Sequence, residues 1–193
     1  SAVSWSASSF LQGIVIAFLV TPFALGFRSL AKRAGRKRRK DGTILWALPL
    51  AFLVLGSLVA FCPIFMGNGQ VLAQTLLSSQ SIPYLPLTLV VKGLLVYHLL
   101  RNGAYGGTLT PSFALGIGSG YLVTLLMTVV GIHLDPALGM LLGATVFLGT
   151  TLQAPLTAIA LSLGFTGQSL SLTIPLVLAT SVSYVIRMRW EKR

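Results

Sequence analysis

No Asp, Glu, Lys or Arg occurs between Asp135 and Arg187. A stretch so long without charge cannot supply the solvated face of a soluble domain, where about a quarter of residues are charged. The rest of the chain agrees: of 193 residues, 54% are hydrophobic and 9% charged. The chain is therefore read as an integral membrane protein, and domain counts based on soluble folds do not apply. Residues 1–193 form a single membrane-embedded unit. Ser1 and the residues after it lack the basic start of a signal peptide, so the sequence is expected to be part of a longer or processed protein.

A spanning helix needs about 20 apolar residues. Residues 10–27 form one such run, with Pro22 expected to kink it. Residues 32–42 read as a polar hairpin and 43–66 as a second uncharged run, ending at a Gly67-Asn68-Gly69 turn. Residues 70–80 are half polar and too short to span, so they read as re-entrant or interfacial. Pro83 and Pro86 open a helix running to about Arg101, and another follows over 111–130. The His133-Leu134-Asp135-Pro136 segment reads as a surface turn. The uncharged region after it is too long for two simple spans and too short for three. Gln153-Ala154-Pro155 and the residues 164–167 cut it into 136–151, 155–163 and 169–186. The middle piece is about half a membrane long at 1.5 Å per residue. The fold class is thus an all-α membrane protein with tilted, broken and re-entrant helices, a pattern of transporters and channels rather than of a plain anchor.

The net charge of +11 resembles a nucleic-acid signal until its distribution is considered. Eight of the fourteen basic residues lie between Arg28 and Lys40, and four between Arg187 and Arg193. No aromatic residue is interleaved with the first cluster, as a nucleic-acid arm would need. The cluster reads as a basic cytoplasmic loop, 28–42, beside anionic lipid. The positive-inside rule then puts the C-terminus in the cytoplasm and Ser1 outside. A single cysteine, Cys62, excludes an internal disulfide and reads as a small packing residue.

The motif Gly106-Gly107-Thr108-Leu109-Thr110-Pro111 interrupts the apolar pattern. Thr110 suits an N-cap and Pro111 a first helical position. Gly106 and Gly107 permit a tight backbone of close approach. Non-helical backbone at membrane depth survives only when buried in protein or lining a cavity. The amides of Thr108 and Leu109, with the first turn of the helix, would converge on one place, and a helix N-terminus carries roughly half a positive charge. Such a site binds an anion without a fixed cation, and loosely enough to release it. The alternative is simple helix packing, which better suits Gly116, Gly118 and Gly120. Lys92, mid-way along an apolar segment, is a functional candidate by default; equally, it can snorkel or pair with helix-end carbonyls.

At these residues the sequence resembles the CLC chloride channels and proton/chloride antiporters. Gly107-Thr108-Leu109-Thr110-Pro111 is similar to the family's G-x-F-x-P anion motif, with Leu109 in place of Phe. The segment "LGTTLQAPLTAIALSLGFTG" is similar to the family's A-P-L-T region, with Gly164 where an acidic residue is usual. The segment "MGNGQVLAQ" is similar to a Gly-rich entry to a short helix. The resemblance covers essentially the whole chain and implies the second half of an inverted repeat. It implies an N-terminal half as partner, a homodimer built partly on the helices from Pro155 and Ser169, and chloride or a similar small anion as the transported ion. By it, Gly107, Thr108, Leu109 and Thr110 are anion-binding candidates, and Gly106, Pro111 and Lys92 support the pathway. Tyr184 is not assigned the family's tyrosine role. A bacterial inner or plasma membrane is the expected location, with no cofactor.

His98 and His133 lie far apart without acidic or cysteine neighbours, so no metal site is expected. Nor does any nucleophile–base arrangement point to an enzyme. The expected function is passive or proton-coupled transport of chloride or a similar anion. The alternatives are a broken-helix transporter for an organic anion and a non-transporting membrane scaffold subunit.

Overall fold

The computed structural model describes residues 7–66, 69–78, 82 and 84–192. Ser1, Gly67, Asn68, Gln80, Pro83 and Arg193 lie outside them, as do the expectations placed on those residues. Eight α-helices are seen among the described residues: α1 Ala7–Arg36, α2 Ile44–Phe61, α3 Gln70–Leu77, α4 Leu85–Arg101, α5 Leu109–Val129, α6 Pro136–Leu152, α7 Pro155–Thr166 and α8 Thr173–Glu191. Short 3-10 turns at Pro63–Phe65 and Leu170–Leu172 complete the chain. Among the described residues four helices are long and apolar enough to cross a membrane: Ser8–Arg36, Ile44–Phe61, Leu109–Val129 and Leu170–Glu191.

The apolar run of α1 does not stop where the charges begin. The helix continues to Arg36, so the expected hairpin at 32–42 is helical over its first residues, and the basic segment 28–42 is a loop only from about Lys37. Ala, Arg and Lys are good helix formers, and Arg33 and Arg36 sit in the last turn, where cations complement the helix dipole. At 30 residues α1 is about 45 Å long, so it overreaches a ~30 Å hydrocarbon core. Its basic end stands in the headgroup region or beyond.

The opposite case is the 12-residue α7, about 18 Å long, and the 8-residue α3, about 12 Å. Neither can span. α7 ends at Thr166, three residues beyond the expected end, and Gly167 closes it in the left-handed region at φ 63. Gln153, also left-handed at φ 59, ends α6 and separates it from α7. Asp135 starts α6 as the sequence suggests: its Oδ1 accepts the Ala137 N–H at 2.9 Å, and Pro136 occupies the first helical position.

The core lies where α5 and α6 meet, with α1 and α8 packed against α6. Residues Leu138 to Thr150 of α6 are buried without a gap, as are Pro111 to Gly120 of α5. Without a hydrophobic drive between helices in lipid, close backbone packing has to hold them. Glycines make that possible. A Cβ on Gly116 would stand 2.6 Å from Ala144 Cα, and one on Gly143 would stand 2.6 Å from Gly120 Cα. The expectation that Gly116 and Gly120 serve packing is met by these contacts. Gly69 joins α3 to α5 by a similar device: its φ is 100, and a Cβ there would lie 2.6 Å from Ala114 Cβ.

Buried hydroxyls tie the same helices. Thr21 of α1 donates to Ser183 of α8 at 2.7 Å, and Ser183 lies 3.1 Å from Thr150 of α6. Gln12 Nε2 donates to the Asp135 carbonyl at 2.7 Å. Replacing Ser183 with Ala should lower stability by about 1 kcal/mol, because interhelical hydrogen bonds in membranes are individually modest. Unfolding in detergent measures it, with no loss expected if the hydroxyl is idle.

In contrast, α2 stands at the edge, with Ala51 its only buried residue and Leu45, Trp46, Leu50, Leu53 and Phe61 exposed. Cys62 caps α2 and is exposed too, so it is not the packing residue the sequence suggested. The reason is the sparse contact of α2 with the rest of the chain.

Candidate functional site

Helix α5 begins two residues earlier than the sequence suggests. Thr108, not Thr110, is the N-cap (φ −84, ψ 1), and Pro111 is the third helical residue rather than the first. The first four N–H groups of a helix have no intrahelical acceptor, so a proline at the third position loses no bond. Ser112 N–H donates to the Thr108 carbonyl at 3.0 Å and closes the first turn. The amides of Thr108, Leu109 and Thr110 donate to no group among the described residues. Thr108 and Leu109 are half-buried and Thr110 is exposed.

The two glycines before them behave differently from the expectation. Gly106 and Gly107 are exposed, neither has a positive φ, and a Cβ on either would meet nothing within 4 Å. No close approach within this chain requires them. The space they face is open.

Thr108 lines a cavity of about 280 Å³ together with Phe27, Arg28 and Lys32 of α1 and with Thr151 and Gln153 at the end of α6. At ~30 Å³ per water this holds several water molecules. Two helix features converge there. One is the N-terminal end of α5, with its free amides. The other is the break after α6, where Gln153 leaves the helix. Arg28 is mostly buried and its Nη1 bonds Glu191 Oε1 at 2.7 Å, which fixes the end of α8 beside α1. Lys32 is exposed and has no ion pair among the described residues. The cavity thus offers amide donors, a hydroxyl or two, a side-chain amide and positive charge, and no unpaired carboxylate lines it.

Sequence reasoning singled out Thr108 as a candidate and did not single out its neighbours across the cavity. Arg28 and Lys32 were read only as part of a topology signal, because a hairpin rather than a helix was expected there. A continuous helix brings positions 28 and 32, four apart, onto one face.

Lys92 is not among the cavity residues. It is 2% exposed, and its Nζ donates to the Phe65 carbonyl at 2.7 Å, with Met66 O at 3.5 Å. This geometry is that of a lysine satisfying the end of a helical turn. Its stem passes behind the start of α5, since a Cβ on Gly69 would lie 3.7 Å from Lys92 Cε and 4.0 Å from Pro111 Cα. Lys92→Met should leave the Phe65 carbonyl unpaired and cost about 1–3 kcal/mol of stability. A thermal-unfolding series checks this; an unchanged midpoint would show that the bond contributes nothing.

His98 and His133 are both exposed and remain apart, and no three of His, Cys, Asp and Glu converge among the described residues. Tyr184 carries the Arg187 guanidinium over its ring, 4.8 Å from the centroid.

These features define an integral membrane protein of broken helices, with a helix start opening into a polar, positively charged cavity. Residues 1–188 match the family described as voltage gated chloride channel, and the chain belongs to that family. The family that the motifs around Gly107, Ala154 and Gly69 resemble is thereby the right one. Among solved structures, the chain is similar to one described as "Crystal structure of a CLC-type fluoride/proton antiporter", with a TM-score of 0.74 and 23% identity. The match covers 96% of this chain and 46% of that one. The likeness is one of fold, and the chain spans just under half the length of that structure. No curated protein matches.

Proposed function

We propose that this chain is one half of a module that moves a small inorganic anion, chloride or fluoride, across a membrane. The anion is held by the amides of Thr108, Leu109 and Thr110 at the start of α5. The observation that carries this reading is that these three donors are unpaired beside a cavity shared with Arg28 and Lys32. The first N–H groups of a helix have no intrahelical acceptor, and here they lie at the positive end of the helix dipole, half-buried at Thr108 and Leu109. Gly106 and Gly107, with Pro111, keep this approach open. Lys92 supports it from behind by holding the Pro63–Phe65 turn.

Arg28 and Lys32 add a local positive field that raises the anion concentration near the site. They stand on the basic end of α1, and Glu191 of α8 joins them. The positive-inside rule puts this end in the cytoplasm, so the cavity is proposed as the cytoplasmic approach to the site. The other wall of the pathway would come from an N-terminal half. A homodimer would use the exposed apolar residues Leu156 of α7, Leu170 of the turn before α8 and Ile174 of α8.

The test is flux. The protein containing this chain, reconstituted into liposomes, should release chloride or fluoride down its gradient, read by an ion-selective electrode. Release of organic carboxylates alone would replace this reading with an organic-anion transporter. Release of neither would leave a scaffold.

A further inference from the structure

A second cavity, of about 440 Å³, lies between α2 and α4. One end is polar, with Arg39, His98 and Asn102. The rest is apolar, with Trp46, Leu50 and Ala51. The polar end is held in place by the chain itself: Arg39 N–H donates to the Arg101 carbonyl at 3.1 Å, tying the loop after α1 to the end of α4. The neighbouring cations have separate roles. Arg38 turns away to the carbonyls of Gly103 and Ala104 and stacks 3.3 Å from the centre of the Tyr105 ring. The Arg39 side chain is exposed and makes no hydrogen bond or ion pair among the described residues. Asp41, the loop's only carboxylate, accepts the Thr43 hydroxyl at 2.8 Å.

We propose that this groove binds one anionic glycerophospholipid. Its phosphate sits at Arg39 beside His98, whose carbonyl accepts the Asn102 side-chain amide at 2.9 Å, and an acyl chain runs along Trp46, Leu50 and Ala51. The occupant must be anionic at one end, because the Arg39 guanidinium lines it and Arg36, Lys37 and Lys40 adjoin Arg39 in the chain. It must be apolar along the remainder, which excludes a free inorganic anion. The polar end also lies where a headgroup lies: α2 begins at Ile44, just past the basic loop, and Trp46 is 84% exposed at that level. Indole rings favour the membrane interface, and basic pockets between helices recognise anionic headgroups. The site is separate from the cavity at Thr108 and does not depend on the transport reading.

Trp46 is itself the reporter. In a background of the full protein in which every tryptophan but Trp46 is replaced by Phe, Trp5 and Trp190 included, brominated phosphatidylglycerol and brominated phosphatidylcholine are titrated in mixed micelles. Phosphatidylglycerol should quench Trp46 at an about fivefold lower mole fraction. Arg39→Gln, an exposed loop substitution, should bring the two lipids to nearly the same curve, with thermal unfolding confirming that the variant is folded. Equal quenching in the protein with Arg39 intact would mean ordinary surrounding lipid and overturn the proposal. Quenching by neither lipid would mean that protein covers the groove, and would overturn it too.

Discussion

Leu109→Pro should weaken anion binding at least about tenfold, whereas Leu109→Ala should change it by less than about twofold. Leu109 is the first helical residue of α5 and its N–H donates to no group among the described residues. Proline is well accepted at that position because its ring fixes a helical φ and the missing N–H was free in any case. The substitution therefore removes one donor while leaving the helix start in place. A hydrogen bond to a charged group contributes roughly 1.5–3 kcal/mol, which is about a tenfold change or more. Thr108, with ψ near 1, must tolerate a following proline, which favours extended backbone in the residue before it. A small loss of stability is expected from that strain, so affinity is compared on the folded fraction by calorimetry. Equal affinities for the Pro and Ala variants would show that the amide at 109 is not a ligand.

The second large effect is in the fold. Gly143→Ala should destabilise the protein by about 3 kcal/mol, at the upper end of typical overpacking costs. Its new Cβ would meet Gly120 Cα at 2.6 Å and Gly120 N at 2.7 Å. Both are backbone atoms in a neighbouring helix, and no side chain can rotate away. The α5–α6 contact must open along its length to admit one methyl group. Gly118→Ala provides the contrast. Its Cβ would press on the Leu89 side chain, a flexible group that can shift rotamer. Its expected cost is below about 1.5 kcal/mol. Detergent unfolding of the two variants separates the cases. Equal costs would show that the backbone contact at Gly143 yields as easily as a side chain.

Much of this could be read from residue order. The absence of charge after Asp135 set the membrane class, and Asp135-Pro136 and Gln153-Ala154-Pro155 marked real helix ends because their local chemistry acts over a turn or less. The end of α1 was misread since charge was taken to end a helix. In fact it ends only the apolar part, and the backbone continues through good helix formers to Arg36. The register of α5 was misread by two residues, because proline fits any of the first helical positions equally well. Thr108, which lines the cavity at the start of α5, was singled out as a candidate from the Gly-Gly-Thr pattern. Arg28, Lys32 and Thr151 were not, since they join it only through the packing of α1 and α6 against α5. Lys92 could be singled out by its cost, but its partner, the Phe65 carbonyl, lies 27 positions away in sequence and carries no side-chain signal.

Bromide reports the position of an anion by anomalous scattering, and it is close to chloride in charge and size. Crystals of the protein containing this chain, grown in bromide, should show a peak within hydrogen-bonding reach of the Thr108 and Leu109 amides. A bromide peak held elsewhere in the pathway, with those amides facing only lipid or protein carbonyls, would contradict the account.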